Sequence, residues 1–261
     1  MIRKVIAIVK EAGTIALKRE FTVQQKGSCE NLVTSTDREV QRFLVQHLSA
    51  LMPGSGFIGE EDDLKTPERE YTWIVDPIDG TANYSRGIEE YAISVALAHQ
   101  GEIVLGVVYN PSRGHLFRAQ KGKGAFLGSK RIHVSSRSFR EGLFCTAMSV
   151  YRKDLAPVCN SIIMDAYMRC NDVRRFGACA VELCYLALGL CDLFFEIRVQ
   201  PWDCAAATLI LQEAGGAVSG LNGTPLRWNG PLLVAAANTQ DNLDELNVII
   251  SKHIKSIPYA D

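Results

Sequence analysis

Residues 73–84 read WIVDPIDGTANY. Three bulky apolar residues, Trp73, Ile74 and Val75, run into two aspartates three positions apart, Asp76 and Asp79, and then into Gly80 and Thr81. The apolar start reads as a buried strand. Asp-Pro and Asp-Gly are both common turn dipeptides, so alone the stretch fits two readings equally well. It is either a strand ending in a tight turn capped by side-chain hydrogen bonds, or a rigid strand that aims two carboxylates at one point.

Two segments elsewhere weight the second reading. GEED at 59–62 also follows an apolar stretch, and in PWDC at 201–204 Asp203 stands at or near the start of a helix, QPWDCAAATLILQEAGG, that closes on Gly215-Gly216. Acidic spots of this kind repel one another if they converge, and cations relieve the repulsion. All-oxygen donors, five histidines without ligand spacing and no thiolate motif point to a hard divalent ion, Mg²⁺ above all. The spacing of Asp76 and Asp79 also lets the Ile78 carbonyl face the same centre, and two ions about 4 Å apart can share a bridging carboxylate. Gly80 and Thr81 add close-approaching backbone amides and a hydroxyl, an anion nest. Metal ions beside exposed amides suit a phosphate monoester better than a neutral ligand.

The rest of the chain reads as an ordinary folded protein. Its 261 residues, 47% hydrophobic and 22% charged, suffice for a substantial core in one large domain or in two lobes that share one. With 28 basic and 29 acidic residues the net charge is −1, so no global field favours nucleic acid or an anionic membrane. The eight cysteines form no CxxC pair and read as reduced, mostly buried residues of a cytoplasmic protein. The apolar run Val5–Val9 is short and flanked by Lys4 and Lys10, unlike a signal peptide, and no run is long enough for a membrane span.

Apolar residues from Ile2 to Ala16 repeat at helical spacing. A second helix is expected from Thr36, with Thr36 and Glu39 as a capping box, stopping at Pro53-Gly54. From Trp73 the period is that of strands, TWIVD, YAISVALAH, EIVLGVVYN and HLFRA, with Gln100-Gly101 as a hairpin turn and short strands after it. Helical spacing returns at 156–168 and in ACAVELCYLALG, followed by the strand LFFEI, the helix carrying Asp203, the strand PLLVAAAN and a terminal helix from about Asp241.

GEED, WIVDPIDGTANY and PWDCAAA, in this order and at these separations, resemble the inositol monophosphatase family, within the class of metal-dependent, lithium-sensitive sugar phosphatases. The segments NLVTSTD, GVVYNPSRGHLFRAQKGKGAFLGSKRIHVS and RRFGACAVELCYLALGLCDLFFE extend the resemblance from about Lys26 to Asn238. It implies an α+β fold, a layered αβαβα sandwich of the inositol monophosphatase and fructose-1,6-bisphosphatase type. It further implies one domain over 1–261 with two lobes, roughly 1–140 and 141–261, and a homodimer, while the net charge of −1 and the lack of a long apolar run argue against nucleic acid as the main ligand and against a membrane.

Carried over by position, Glu60, Asp76 and the Ile78 carbonyl match the family's first metal site, and Asp76, Asp79 and Asp203 its second. Glu60 also matches the contact to a weaker third ion, near which Lys26 matches a loop position. Thr81 and Asp37 match the pair that orients the attacking water, and the amides of Gly80 and Thr81 the phosphate cradle. Asp79, Asp203, Glu196, Gly177 and Cys179 match the residues that hold the alcohol half of the substrate. The implied activity is Mg²⁺-dependent hydrolysis of a small polyol or sugar phosphate, foremost inositol 1-phosphate, by metal-activated water. Fructose-1,6-bisphosphatase or histidinol-phosphate phosphatase activity are the alternatives, as is a non-catalytic regulatory protein that keeps the fold. Glu61 and Asp62 read as solvated neighbours, and Arg174 and Arg175 as an interface pair or a second anion site.

Overall fold

The computed structural model describes residues 1–19, 21–25, 32–67, 69–149 and 152–254. The chain opens with helix α1 (Ile2–Leu17), the short strands β1 (Val23–Gln25) and β2 (Leu32–Thr34), and helix α2 (Ser35–Leu51). Strands β3 (Gly56–Gly59) and β4 (Tyr71–Asp79) follow, then the five-residue helix α3 (Thr81–Ser85). Next come β5 (Ala92–His99), β6 (Glu102–Asn110), β7 (His115–Gln120), β8 (Ala125–Leu127), β9 (Lys130–Arg131) and β10 (Leu143–Thr146). The remainder is α4 (Ala156–Tyr167), β11 (Asp172–Arg174), α5 (Cys179–Ala187), β12 (Leu193–Val199), α6 (Pro201–Glu213), β13 (Ala217–Ser219), β14 (Leu232–Ala237) and α7 (Gln240–His253). None of the described helices is long and apolar enough to cross a membrane.

Two large sheets organise these elements. One has seven strands in the order β3-β4-β5-β6-β7-β8-β9, the other five in the order β11-β10-β12-β14-β13, and β1 pairs with β2 alone. Side chains on alternate strand positions separate the core into layers. Trp73 and Val75 pack with α1 and α2 through Val5, Val9, Val40 and Leu44, whereas Ile74 faces the opposite way onto α5 and α6. In β12, Phe194 joins the α5 and α6 layer while Leu193 and Phe195 pack outward with α4 and α7 through Ile162, Leu246 and Ile250. The result is the αβαβα sandwich that the resemblance implied, with α5 and α6 buried between the sheets. Close packing there requires Gly106, since a Cβ on it would lie 2.5 Å from the Ala206 carbonyl oxygen in α6.

Two local expectations change. The α2 cap is Thr34 with Asp37, in a reciprocal capping box, two residues before the expected Thr36 and Glu39. Pairing of β1 with β2 ends at Thr34, which leaves it extended and free to cap, while Thr36 is already helical and buried. Glu61 is fully buried rather than solvated. Gln41 of α2 bonds both its backbone N–H (2.9 Å) and its carbonyl (2.7 Å), drawing the turn onto the helix, while Asp62 is exposed. The short strands β1, β2, β10, β11 and β13, three or four residues each, carry too few positions for a readable period. The described cysteines are free thiols, all buried but Cys170, as their spacing implied.

Candidate active site

The motif of residues 73–84 sits where the two sheets and the buried helices meet. In a regular strand, residues three apart point to opposite faces. Here the β4–β5 register skips: Asp76 pairs with Ser94 and Asp79 with Ala92, so Pro77 and Ile78 face the single residue Ile93 across the ladder. Proline, with no N–H to give the ladder, is tolerated at such a bulge. The bulge lets Asp76 and Asp79 both line one cavity of about 350 Å³. Glu60, at the end of β3, and Asp203, in the first turn of α6, line it too.

Each aspartate is held by backbone amides. Asp76 Oδ1 accepts the Ile78 N–H at 2.9 Å. Asp79 Oδ1 accepts from Cys179 N at 3.2 Å and Oδ2 from Ala180 N at 2.8 Å, at the start of α5. Asp203 Oδ2 accepts the Gln200 N–H at 2.9 Å in a capping box. These contacts aim the groups, yet charge crowds them. Burial first, then repulsion from Glu60, Asp79 and Asp203, holds the Asp76 carboxyl well above the usual range. Burial raises Asp79 to about 7, with Glu182 and Glu60 adding to it and the Ala180 and Cys179 amides opposing. Asp203 is raised to about 8, by burial and then by Asp79.

Among the described residues no three Asp, Glu, His or Cys side chains already close on a point as a finished ion cage. The carboxylates instead line a shared space, and their mutual repulsion together with an all-oxygen donor set fits hard divalent cations. The residues present therefore suit Mg²⁺.

Beside them stands a hydroxyl. Thr81 Oγ1 lies 3.1 Å from Asp37 Oδ1 and 3.0 Å from the Ile78 carbonyl oxygen, and its single proton serves one of the two at a time. Asp37 is fully buried and accepts the Thr34 N–H at 2.9 Å. Burial raises its carboxyl, against the hydrogen bonds from Thr34 and Thr81. Gly80 has φ +87°, and a Cβ there would lie 3.0 Å from both Ala178 Cβ and the Glu90 carbonyl oxygen. Only glycine makes this turn without strain.

The expected alcohol-side residues Gly177, Cys179 and Glu196 line the same cavity. Burial, then repulsion from Glu182, Asp203 and Asp79, raises Glu196 well above the carboxylate range, with Arg175 opposing. Asn83 of the motif stitches this wall to the metal side, donating at 2.7 Å to the carbonyls of both Glu90 and Phe176. Arg174 pairs with Asp172, whereas Arg175 lines the cavity. Lys26 lies outside the described residues.

Glu182 and Arg198 also line the cavity and were not anticipated. Glu182 accepts the Phe176 and Gly177 N–H groups at 2.6 and 2.9 Å and thereby shapes the loop before α5. Its signal was a lone carboxylate inside the apolar run ACAVELCYLALG. For Arg198 it was a second charge two places after Glu196 in an apolar strand.

The model of the inositol monophosphatase family matches residues 1–255. An inositol-1-monophosphatase of Caulobacter vibrioides is 38% identical over 204 residues, 77% of this chain and 79% of that one. The Nus factor SuhB of Vibrio cholerae is 34% identical over 244 residues, 90% of this chain and 91% of its own. Among solved structures, the extragenic suppressor protein SuhB of Bartonella henselae superposes with a TM-score of 0.89 at 31% identity, covering 97% of this chain and 99% of that one. A Thermotoga maritima IMPase does so at 0.85 and 29%, covering 98% and 99%. A match across nearly the whole sequence, on a fold with the same layers, means that the chain belongs to the inositol monophosphatase family.

Proposed function

We propose that the protein is a Mg²⁺-dependent phosphomonoesterase acting on a small polyol or sugar phosphate, with inositol 1-phosphate as the leading substrate. The observation that carries this reading is the lining of one cavity by Glu60, Asp76, Asp79 and Asp203 beside the Thr81–Asp37 pair. Glu60, Asp76, Asp79, Asp203 and the Ile78 carbonyl would hold the ions. Mg²⁺ bound there supplies a water of lowered pKa and charge to offset the phosphoryl oxygens.

The chain's own residues do the rest. Thr81 Oγ1, with its proton directed to Asp37, turns a lone pair toward a water and orients it for in-line attack. Asp37, raised by burial, is a stronger base than a solvated carboxylate and draws on the Thr81 proton. The amides of Gly80 and Thr81 cradle the phosphate, since the left-handed turn at Gly80 lets the backbone approach it. Glu196, with Gly177 and Cys179, holds the hydroxyls of the leaving alcohol.

The relatives named Nus factor SuhB favour a second reading, a regulatory role carried by the same fold. Phosphate release from inositol 1-phosphate with Mg²⁺, inhibited by Li⁺ and abolished in Asp79→Asn, supports catalysis. An intact fold that releases no phosphate, or an Asp79→Asn variant of near-normal activity, overturns the assignment.

A further inference from the structure

Arg198 stands out among the residues that line the cavity with the expected metal ligands. It interrupts the β12–β14 ladder, where the register shifts between Ile197 and Val199, and its φ is +62°. That backbone region disfavours any side chain with a Cβ and suits glycine. A long cation is therefore held where the backbone is strained, and such strain concentrates at ligand-binding positions.

Its guanidinium is also left wanting. Nη1 is buried and has no hydrogen-bond partner, although buried donors are nearly always paired. Asp154 is within electrostatic reach, but that carboxyl is held low first by Arg152, which bonds both its oxygens at 2.8 and 2.7 Å. Two further donors line the same cavity. Ser149 Oγ is buried without a partner, and Arg175 is close enough to lower Glu196. A neutral polyol has no use for two guanidinium groups, which match the planar array of oxygens on a phosphate or carboxylate. Glu196, on the same strand, remains available to a hydroxyl between the two ends.

We propose that Arg198, with Ser149 Oγ and Arg175, forms an anion subsite that reads a second phosphate on the leaving-group end of the substrate. The proposal rests on the phosphatase reading above and, within its small polyol and sugar phosphates, moves the preferred substrate from inositol 1-phosphate to a bisphosphate. The cleaved phosphate lies on the Asp76–Asp79 side, and the retained one meets the guanidinium groups.

A matched pair tests it: kcat and KM for fructose 1,6-bisphosphate and for fructose 1-phosphate, with Mg²⁺, in wild type and Arg198→Gly. The wild type is expected to favour the bisphosphate in kcat/KM by about 10- to 100-fold, the scale of a charge-assisted hydrogen bond. In Arg198→Gly the preference falls to within about 3-fold, with the loss carried by KM rather than kcat. Because glycine relieves the strained φ, the variant's Tm should equal or exceed that of wild type, which separates lost recognition from lost folding. Equal kcat/KM for both esters in wild type, or a preference that survives in Arg198→Gly, overturns the subsite and leaves the phosphatase reading standing. Hydrolysis of neither fructose ester while phosphate is still released from inositol 1-phosphate overturns the subsite alone, and release from none of the three overturns the phosphatase reading as well.

Discussion

Replacing Asp203 with Asn should stabilise the metal-free protein while removing its response to Mg²⁺. Asp203 is raised to about 8 from 3.8 by burial and by Asp79. Below 3.8 the group is protonated in both folded and unfolded chains and contributes no penalty. As the pH rises toward about 8 the unfolded chain ionises first, so stability falls, and above about 8 the loss is complete. At 1.36 kcal/mol per pH unit, the loss by pH 7 is roughly 4 kcal/mol, and on the order of 2–4 once the solvent that still reaches Asp203 is allowed for. Asparagine keeps an oxygen for the Gln200 N–H and removes the charge.

For a chain of this length roughly 2 °C accompanies each kcal/mol, so the Asn variant should melt about 4–8 °C higher than wild type at pH 7–8 in chelator. Calorimetry from about pH 4 to pH 8 reads the effect directly. Saturating Mg²⁺ at about 100 times its Kd should raise wild-type Tm by about 5 °C and the variant's by far less. A variant no more stable than wild type in chelator, with wild-type stability flat across that pH range, would refute the view that crowded carboxylates await a cation.

Three further changes probe the rest of the site. Thr81→Ala removes the hydroxyl that reaches Asp37 and should lower kcat by about 10²- to 10⁴-fold with little change in Tm, measured by phosphate release and thermal melting. Gly80→Ala forces a Cβ to within 3.0 Å of Ala178 Cβ and the Glu90 carbonyl oxygen at a left-handed φ. Its backbone cost of about 1–2 kcal/mol should appear as a lower Tm, and the shifted cradle as a raised KM. Asn83→Ala withdraws the donor that the Glu90 and Phe176 carbonyls share and should destabilise by about 2–3 kcal/mol in urea unfolding. The loop at 176–177 then loosens, and KM should rise more than kcat falls.

Much of the fold was legible because long elements carry their own period. The helical repeat from Ile2 to Ala16 and the strands of YAISVALAH and EIVLGVVYN announce themselves, since burial on one face selects apolar residues every second or every third and fourth place. The acidic segments were legible for a different reason. A carboxylate directly after an apolar strand is costly unless something uses it, and that cost is visible locally.

What the linear pattern does not contain is register and distance. Asp76 and Asp79 are three residues apart and would point to opposite faces, and only the skipped pairing of β4 against β5 turns both into the cavity. Whether Thr34 or Thr36 caps α2 depended on where β1 and β2 stop pairing, and Glu61 was buried by Gln41 from another helix. Glu182 and Arg198 became site residues because α5 and β12, more than a hundred positions from Asp76, carry them to the same wall. Sequence by itself determined which residues have chemistry to offer, since composition and period are local properties. Tertiary structure decided which of them meet, because a bulge or a one-residue shift of register costs little locally and reverses the direction of a side chain.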